Sequence, residues 1–164
     1  MTVRPCLPWP DKRLRSMAAP VPEITDDIRA IWADMIDTME AMPGVGLAGP
    51  QIGVMLRLAV VDARETRGQA VRMANPEVVH ASVQLRSHDE ASPNLPGVHA
   101  SIARPRAVLV RFLNSEGQLE ERDFVGLWAT SVQHQIDHLN GRMYFDHLSK
   151  VKRDMLLRRA KKAR

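Results

Sequence analysis

The chain has few cysteines, no long apolar run and no internal repeat. Cys6 is its only cysteine among 164 residues, so no intrachain disulfide can form. The first ten residues lack the apolar run of a signal peptide, and no segment is long or apolar enough to span a membrane. These absences predict a protein of the reducing cytoplasm with no membrane partner. The length predicts one domain over residues 1–164.

The body of the chain has a small net negative charge, and the net positive charge comes from its basic end. The formal net charge is +4, but residues 150–164 hold eight Lys or Arg residues and one acid, which leaves −3 on the rest. A basic end of this kind is usually a solvated helix end, and the alternative is docking to an RNA-rich partner. Specific DNA binding is not expected.

Apolar spacing predicts an α+β fold. Thr25 suits the N-cap of a helix that runs to Met42, where Pro43 and Gly44 stop it. A second helix is expected at about 126–139 and a third, basic one at about 150–164. Strands are expected at 56–61, 78–85, 107–113 and 118–124. This order of elements predicts one buried helix against an antiparallel-rich sheet.

Two histidines lie four residues apart on the second predicted helix. His134 and His138 share one helix face at this spacing, so both imidazoles can reach one transition-metal ion. In metal hydrolases with this pattern, the residue after the first histidine is a glutamate that transfers protons. Here it is Gln135, whose amide does not titrate. Taken alone, the pair also fits two structural histidines.

Three separated segments together resemble the peptide deformylase family. They are residues 44–53, 90–97 and 133–141, which read Gly-Val-Gly-Leu-Ala-Gly-Pro-Gln-Ile-Gly, Glu-Ala-Ser-Pro-Asn-Leu-Pro-Gly and Gln-His-Gln-Ile-Asp-His-Leu-Asn-Gly. The resemblance extends from about Pro8 to Lys150. It implies antiparallel-rich sheets around a central helix that carries His-x-x-x-His, followed by a C-terminal helix. It also implies removal of the formyl group from N-terminal formylmethionine by a divalent metal held by one cysteine and two histidines.

The resemblance also assigns residues to the substrate. It implies that Gln51 donates a hydrogen bond to the formyl oxygen and that the glycine loop before it borders the peptide groove. The implied substrate-binding residues are Val45, Gly46, Leu47, His88, Leu127, Thr130 and Ser131. Three of them, His88, Thr130 and Ser131, are polar where the family usually has apolar residues or cysteine. A more polar substrate side chain, or none, is therefore expected.

The second segment departs from the family pattern at two positions. Ser92 stands at the cysteine ligand, and a hydroxyl is a much poorer metal ligand than a thiolate. Pro93 stands where the family uses a backbone N–H as its second donor to the oxyanion, and proline has no N–H. The loss of one such donor typically costs about 10² to 10³ in rate. The family also places the residue at Glu90 in an ion pair, here with Arg104.

The exchanges at positions 92, 93 and 135 predict that deformylase activity is lost or strongly reduced. On this interpretation the protein is a pseudoenzyme that keeps the fold and a peptide-binding groove. The alternative is an active metal-dependent hydrolase with a rebuilt site. That site would combine His134 and His138 with Ser92, or with a third ligand from His88, Asp89 or Glu90. The ion would be iron, nickel, cobalt or zinc held weakly, or none would bind.

Two partners are expected from the resemblance. The groove would bind the N-terminal peptide of nascent chains. The basic C-terminal helix, with Val151, Met155 and Leu156 on its apolar side, would approach the ribosome. Salt-sensitive binding to ribosomes is the expected signature of that contact.

Overall fold

The structure is a computed structural model that describes residues 2–64 and 68–163. The described chain forms helices α1 (Asp26–Ala41), α2 (Leu127–Leu139) and α3 (Lys150–Lys162). Its strands are β1 (Gly46–Ala48), β2 (Leu58–Val61), β3 (Val71–Ala81), β4 (Leu85–Ser92), β5 (Leu95–Pro105), β6 (Ala107–Leu113) and β7 (Leu119–Val125). Short 3₁₀ turns lie at Lys12–Arg15, Gly49–Ile52 and Tyr144–His147. Met1 and Arg164, the ends of the predicted domain and of the basic helix, lie outside the described residues.

The strands form two antiparallel sheets. β1, β2, β3, β6 and β7 make a five-stranded sheet in that order, and β4 pairs with β5 in a separate hairpin. The predicted α+β class, with antiparallel sheets, three helices and a helix at the C-terminal end, is confirmed. Within the described residues, no helix has both the length and the apolar character needed to cross a membrane.

Helices α1 and α2 pack on opposite faces of the larger sheet. The Thr25 hydroxyl accepts a hydrogen bond from the Ile28 N–H and starts α1 as predicted. The buried face of α1 packs against Leu58 and Val60 of β2. Since neighbouring residues of a strand point to opposite faces, Val61 faces the other way and packs in the cluster that contains Val132 of α2. The site helix is thereby held against a rigid sheet.

The β4–β5 hairpin and α3 share a third apolar cluster. Leu95 and Ile102 of β5 pack there with Leu156 and Ala160 of α3. The predicted apolar side of α3 is therefore only partly correct. Leu156 is fully buried, but Val151 and Met155 are 69% and 53% exposed. α3 is a packed element whose basic side faces solvent.

One predicted strand has the wrong bounds. The range 78–85 joins the end of β3, the turn after it and the start of β4. β3 begins at Val71 and passes through Asn75, which has a φ of +52°, and its register with β6 shifts between Ala74 and Glu77. Asn-Pro ordinarily signals a turn, so the sequence pattern hides this half of the strand. Pro96 and Gly97 similarly mask β5.

Candidate functional site

The predicted histidine pair lies on the buried face of α2. His134 and His138 are 8% and 1% exposed, and their Nε2 atoms are 3.2 Å apart. Two imidazoles bound tetrahedrally to one ion at about 2.0–2.1 Å bring their nitrogens to about 3.3 Å. Burial lowers the pKa of His138 well below its usual range, and the neighbouring His134 acts in the same direction. His138 is therefore neutral, which is the form that binds metals.

Glu90 fixes the orientation of His134 from behind. Its Oε1 is 2.8 Å from His134 Nδ1. Burial alone would raise the pKa of Glu90, but hydrogen bonds from His134 and Arg104 outweigh it and lower the pKa to about 2. Glu90 is therefore an ionised acceptor for the His134 Nδ1–H group, and this contact directs His134 Nε2 towards His138.

An ion network continues from Glu90 through Arg104. The guanidinium donates to Glu90 Oε2 at 2.6 Å and to Glu90 Oε1 at 2.9 Å, which confirms the predicted ion pair. It also donates to Asp137 Oδ2 at 2.9 Å, and His147 Nε2 lies 2.7 Å from the same oxygen. The network thus links four elements behind the histidines, namely β4, β5, α2 and the turn at Tyr144–His147.

Ser92 and Gln51 meet beside the site through Asn94. The Ser92 hydroxyl lies 3.0 Å from Asn94 Oδ1 and 3.5 Å from Gln51 Nε2. Gln51 Nε2 also donates to Asn94 Oδ1 at 2.9 Å, while Gln51 Oε1 accepts from the Ala48 N–H at 2.9 Å. The Gln51 amide is therefore fixed with its N–H group towards Ser92.

Gln135 is buried next to the glycine loop. It is 4% exposed, and its Oε1 has no hydrogen-bond partner among the described residues. Gly46 is packed so closely against it that an added Cβ would lie 2.5 Å from Gln135 Nε2 and 2.5 Å from Ser131 Oγ. A larger residue at position 46 would therefore require Gln135 and Ser131 to shift.

A cavity of about 220 Å³ opens beside His134. Its wall includes most of the predicted substrate-binding residues, together with Gln51, Pro93, His134 and Gln135. Those substrate-binding residues are Val45, Gly46, His88, Leu127, Thr130 and Ser131. Leu47 is not among the residues that line the cavity, and its role at the substrate stays a prediction. It is fully buried in the α1 core because strand alternation turns it away from Gly46.

The proposed third ligand from a neighbouring acid or histidine does not form. In the part of the chain that the structure describes, no three His, Cys, Asp or Glu side chains are placed to hold one ion. Glu90 is held by Arg104, and Asp89 points to His99 at 2.9 Å with 61% of its side chain exposed. Cys6 lies near Met42 in the α1 core and is not a replacement.

The remaining donors still fit a divalent ion held by two imidazoles. The converging Nε2 atoms supply two such donors, and the acceptor behind His134 orients one of them. A histidine pair at this spacing on a helix is typical of metal-dependent hydrolases.

Sequence reasoning missed three neighbours of the site. Asn94 lies inside a recognised segment, but its role as a hub between Ser92 and Gln51 has no short-range signal. Arg86 reaches Thr130, which is 44 residues away, at 3.0 Å. The Tyr144 ring stacks near His134 at 6.0 Å between centroids, and burial, followed by the charges of Glu90 and Asp89, raises the pKa of Tyr144 to about 12.

Comparison with known proteins assigns the family. The chain matches the sequence model of polypeptide deformylase over residues 3–154. It is 41% identical to the peptide deformylase of Afipia carboxidovorans over 99% of this chain and 96% of that protein. The identity to the peptide deformylase of Rhizobium meliloti is also 41%, over 99% of this chain and 95% of that one. The chain belongs to the peptide deformylase family.

Solved structures agree with this assignment. A peptide deformylase from Legionella pneumophila superimposes with a TM-score of 0.91 at 38% identity, covering 98% of this chain and 94% of that one. The Ehrlichia chaffeensis enzyme in complex with actinonin gives a TM-score of 0.91 at 34% identity, covering 99% and 98%.

The predicted loss of deformylase activity is wrong on these comparisons. Relatives that are 41% identical over nearly the whole chain are named peptide deformylase. A structural relative with the same fold binds actinonin. The interpretation as a pseudoenzyme is not supported, and the active hydrolase is the better supported alternative.

Proposed function

We propose that the protein is an active metal-dependent hydrolase that removes the formyl group from N-terminal formylated peptides. The main support is the distance of 3.2 Å between the Nε2 atoms of His134 and His138 beside the cavity. Ionised Glu90 lies behind His134 and orients its ring. The family assignment and the 41% identity to named peptide deformylases support the reaction class.

His134 and His138 would hold the ion, and the Ser92 hydroxyl is proposed as a further ligand. An ion bound there supplies Lewis acidity and lowers the pKa of water. Iron, nickel, cobalt and zinc all accept imidazole ligands. A hydroxyl contributes less than a thiolate, so the ion is proposed to be more easily removed than it would be from a cysteine site.

Gln51 is proposed to bind the formyl oxygen. Its amide is fixed by Ala48 and Asn94, so its N–H group is oriented before substrate arrives. Pro93 cannot donate, so in this proposal the Gln51 side chain is the amide donor at the formyl oxygen. Gln135 cannot take up a proton, and its proposed role is to orient the substrate by hydrogen bonding.

The test is formate release from an N-formylmethionyl peptide. Protein prepared anaerobically is supplied in turn with iron, nickel, cobalt and zinc, and bound metal is measured in the same samples. Metal-dependent turnover well above that of a His138→Ala variant is expected, with a melting curve to show that the variant is folded. No turnover above that variant with any ion would overturn the proposal.

The nascent-chain partner and the ribosome contact are further proposals. Lys152, Arg158, Arg159, Lys161 and Lys162 are exposed on α3, which supports an RNA-rich partner. Truncation is a poor test because Leu156 and Ala160 are core residues. The sharper test reverses Arg158, Lys161 and Lys162 to Glu and measures salt-sensitive co-sedimentation with ribosomes, which is expected to be lost. Unchanged sedimentation would remove the ribosome proposal. A cytoplasmic location stays a prediction.

A further inference from the structure

The ion network behind His134 begins at the protein surface. His147 is its most exposed member, with 35% of the side chain accessible to solvent, against 4% for Arg104. A second cavity, of about 270 Å³, opens at this end, and Arg104, Asp137 and His147 contribute to its wall. The network therefore has one end in solvent and the other at the imidazole of His134.

His147 holds the carboxylate of Asp137. Its Nε2 lies 2.7 Å from Asp137 Oδ2, and Arg104 Nη1 donates to the same oxygen at 2.9 Å. An ionised carboxylate offers only acceptors, so the N–H of this contact belongs to His147. The Asp137 side chain is partly exposed, and without this donor its carboxylate gains freedom to turn towards water. The imidazole thus keeps Asp137 directed at the guanidinium.

Arg104 passes this constraint on to His134. Its Nε and Nη2 donate to Glu90 while its Nη1 donates to Asp137. A guanidinium is a planar, rigid fork, so the contacts on its two sides set one common orientation. Glu90 Oε1 accepts from Arg104 Nη2 at 2.9 Å and lies 2.8 Å from His134 Nδ1. A displacement of the guanidinium therefore displaces the acceptor that orients the His134 ring.

The turn that carries His147 is fixed by contacts of its own. Asp146 accepts from Arg15 Nη2 and from the Met143 N–H, each at 2.9 Å. Phe145, in the same turn, is fully buried. The backbone of His147 is thus placed by the core and by Arg15, and its imidazole can serve as a fixed point for Asp137.

We propose that His147 is a positioning residue for deformylation, which fixes the ring of His134 through Asp137, Arg104 and Glu90. His147 lines the second cavity and not the one beside His134, so it acts on the reaction only through these contacts. Its effect on turnover rests on the proposed deformylation, whereas its effect on the His134 ring does not.

Substitutions at position 147 separate the hydrogen bond from the bulk of the ring. His147→Leu removes the donor. His147→Gln places an amide N–H at about the reach of the imidazole Nε2 and should restore the contact, whereas His147→Asn carries the same amide on a shorter side chain and should not. His80→Leu, at an exposed histidine of β3, is the matched control. Melting curves show that each variant is folded.

Nuclear magnetic resonance of the imidazole nitrogens tests the proposal on metal-free protein. We expect His147→Leu to speed exchange of the His134 Nδ1 proton with water by about threefold or more, because its acceptor is held less firmly. His147→Gln should resemble the parent, and His147→Asn should resemble His147→Leu. Equal exchange in the parent and His147→Leu would overturn the proposal, and so would faster exchange in His147→Gln.

Kinetics of the zinc-loaded protein provide the second readout. Loss of an outer contact to a metal-binding histidine commonly costs about 10- to 100-fold in affinity or activity. His147 is further from the ion, so we expect kcat for formyl-Met-Ala-Ser to fall by about three- to tenfold in His147→Leu, with faster release of zinc to a chelator. KM should not change, because His147 lies away from the substrate cavity. A higher KM with unchanged kcat would overturn the positioning role.

The two readouts distinguish this proposal from the proposed reaction. Faster His134 exchange in His147→Leu, without formate release by any of the proteins, would retain the positioning role and refute deformylation. Formate release with the same kcat and the same exchange in the parent and His147→Leu would retain deformylation and refute the positioning role.

Discussion

Gln135 has the shape of a glutamate side chain but no titratable carboxyl group. Gln135 is buried, and its Oε1 has no hydrogen-bond partner in the described chain. A carboxylate occupies the same volume as this carboxamide, so Gln135→Glu requires no repacking. The effect of this substitution therefore depends on what a titratable group adds at position 135.

We expect Gln135→Glu to raise formate release by the metal-loaded protein by about tenfold or more. Positioned acid/base groups commonly contribute about 10² to 10⁴ in rate. The pH–rate profile should also gain a limb that the parent lacks. Gln135→Met, of similar length and without a titratable group, is the matched control. A rate for the glutamate variant that equals the parent rate would contradict this prediction.

Ser92→Cys should increase metal retention. Ser92 is 4% exposed beside Gln51 and Asn94, and a thiol replaces its hydroxyl with little change in shape. A thiolate is the stronger ligand for iron and zinc. Elemental analysis after dialysis against a chelator is expected to show more bound ion than in the parent protein. Ser92→Ala is the control, and equal retention by all three proteins would show that position 92 does not contact the ion.

Some site residues could be predicted from the sequence and others could not. The convergence of His134 and His138 could be predicted because a spacing of four residues places two side chains on one helix face. The Arg86–Thr130 contact and the Asn94 hub depend on packing between β4, α2 and the N-terminal arm, which no short-range pattern encodes. The burial of the Leu47 side chain depends on where the three-residue strand β1 begins, which no sequence pattern marks.

At the scale of elements, the helices were predictable and the β4–β5 hairpin was not. α1 and α2 have clear apolar periodicity and clear stops, so their ranges agree with the structure to within a few residues. β4 and β5 bury few residues on one face and carry Pro96 and Gly97, so they lack the expected strand pattern. Their pairing is nevertheless what places Glu90 behind His134.

The packing of α3 makes a paired prediction about stability. Leu156→Ala should lower the free energy of unfolding by about 2 to 5 kcal/mol, because the side chain is fully buried between α3 and β5. Met155→Ala, at the next and 53% exposed position, should change it by about 0.5 kcal/mol or less. Denaturant titration measures both. Similar losses for the two variants would contradict the packed arrangement of α3.

At the scale of the whole molecule, the two ends of the chain are joined by charge. Arg15 Nη2 donates to Asp146 Oδ1 at 2.9 Å, and Asp146 Oδ2 accepts from the Met143 N–H at 2.9 Å. Burial raises the pKa of Asp146, but Arg15 and the Met143 N–H outweigh it, so the pKa is lowered from its ordinary value of 3.8. The carboxylate links the 3₁₀ turn at Lys12–Arg15 to the segment before α3.

A lowered folded-state pKa gives this contact a defined pH dependence. Its stabilisation is fully present above the ordinary pKa of 3.8 and is lost as the pH falls through the lower folded value. Asp146→Asn should therefore cost about 0.5 to 1 kcal/mol at pH 7, after allowance for solvent screening. The difference between parent and variant should shrink below pH 3.8. A difference that stays constant on acidification would exclude this ionic link.

The network behind His134 separates the residues that orient the imidazole from those that line the cavity. The network of Glu90, Arg104, Asp137 and His147 holds the imidazole from its far side. Pro93 and Gln135 lie on the near side and line the cavity. Substitutions on the near side are therefore expected to leave this network intact. A scaffold divided in this way can accumulate new chemistry one residue at a time, which also makes it a practical starting point for directed evolution.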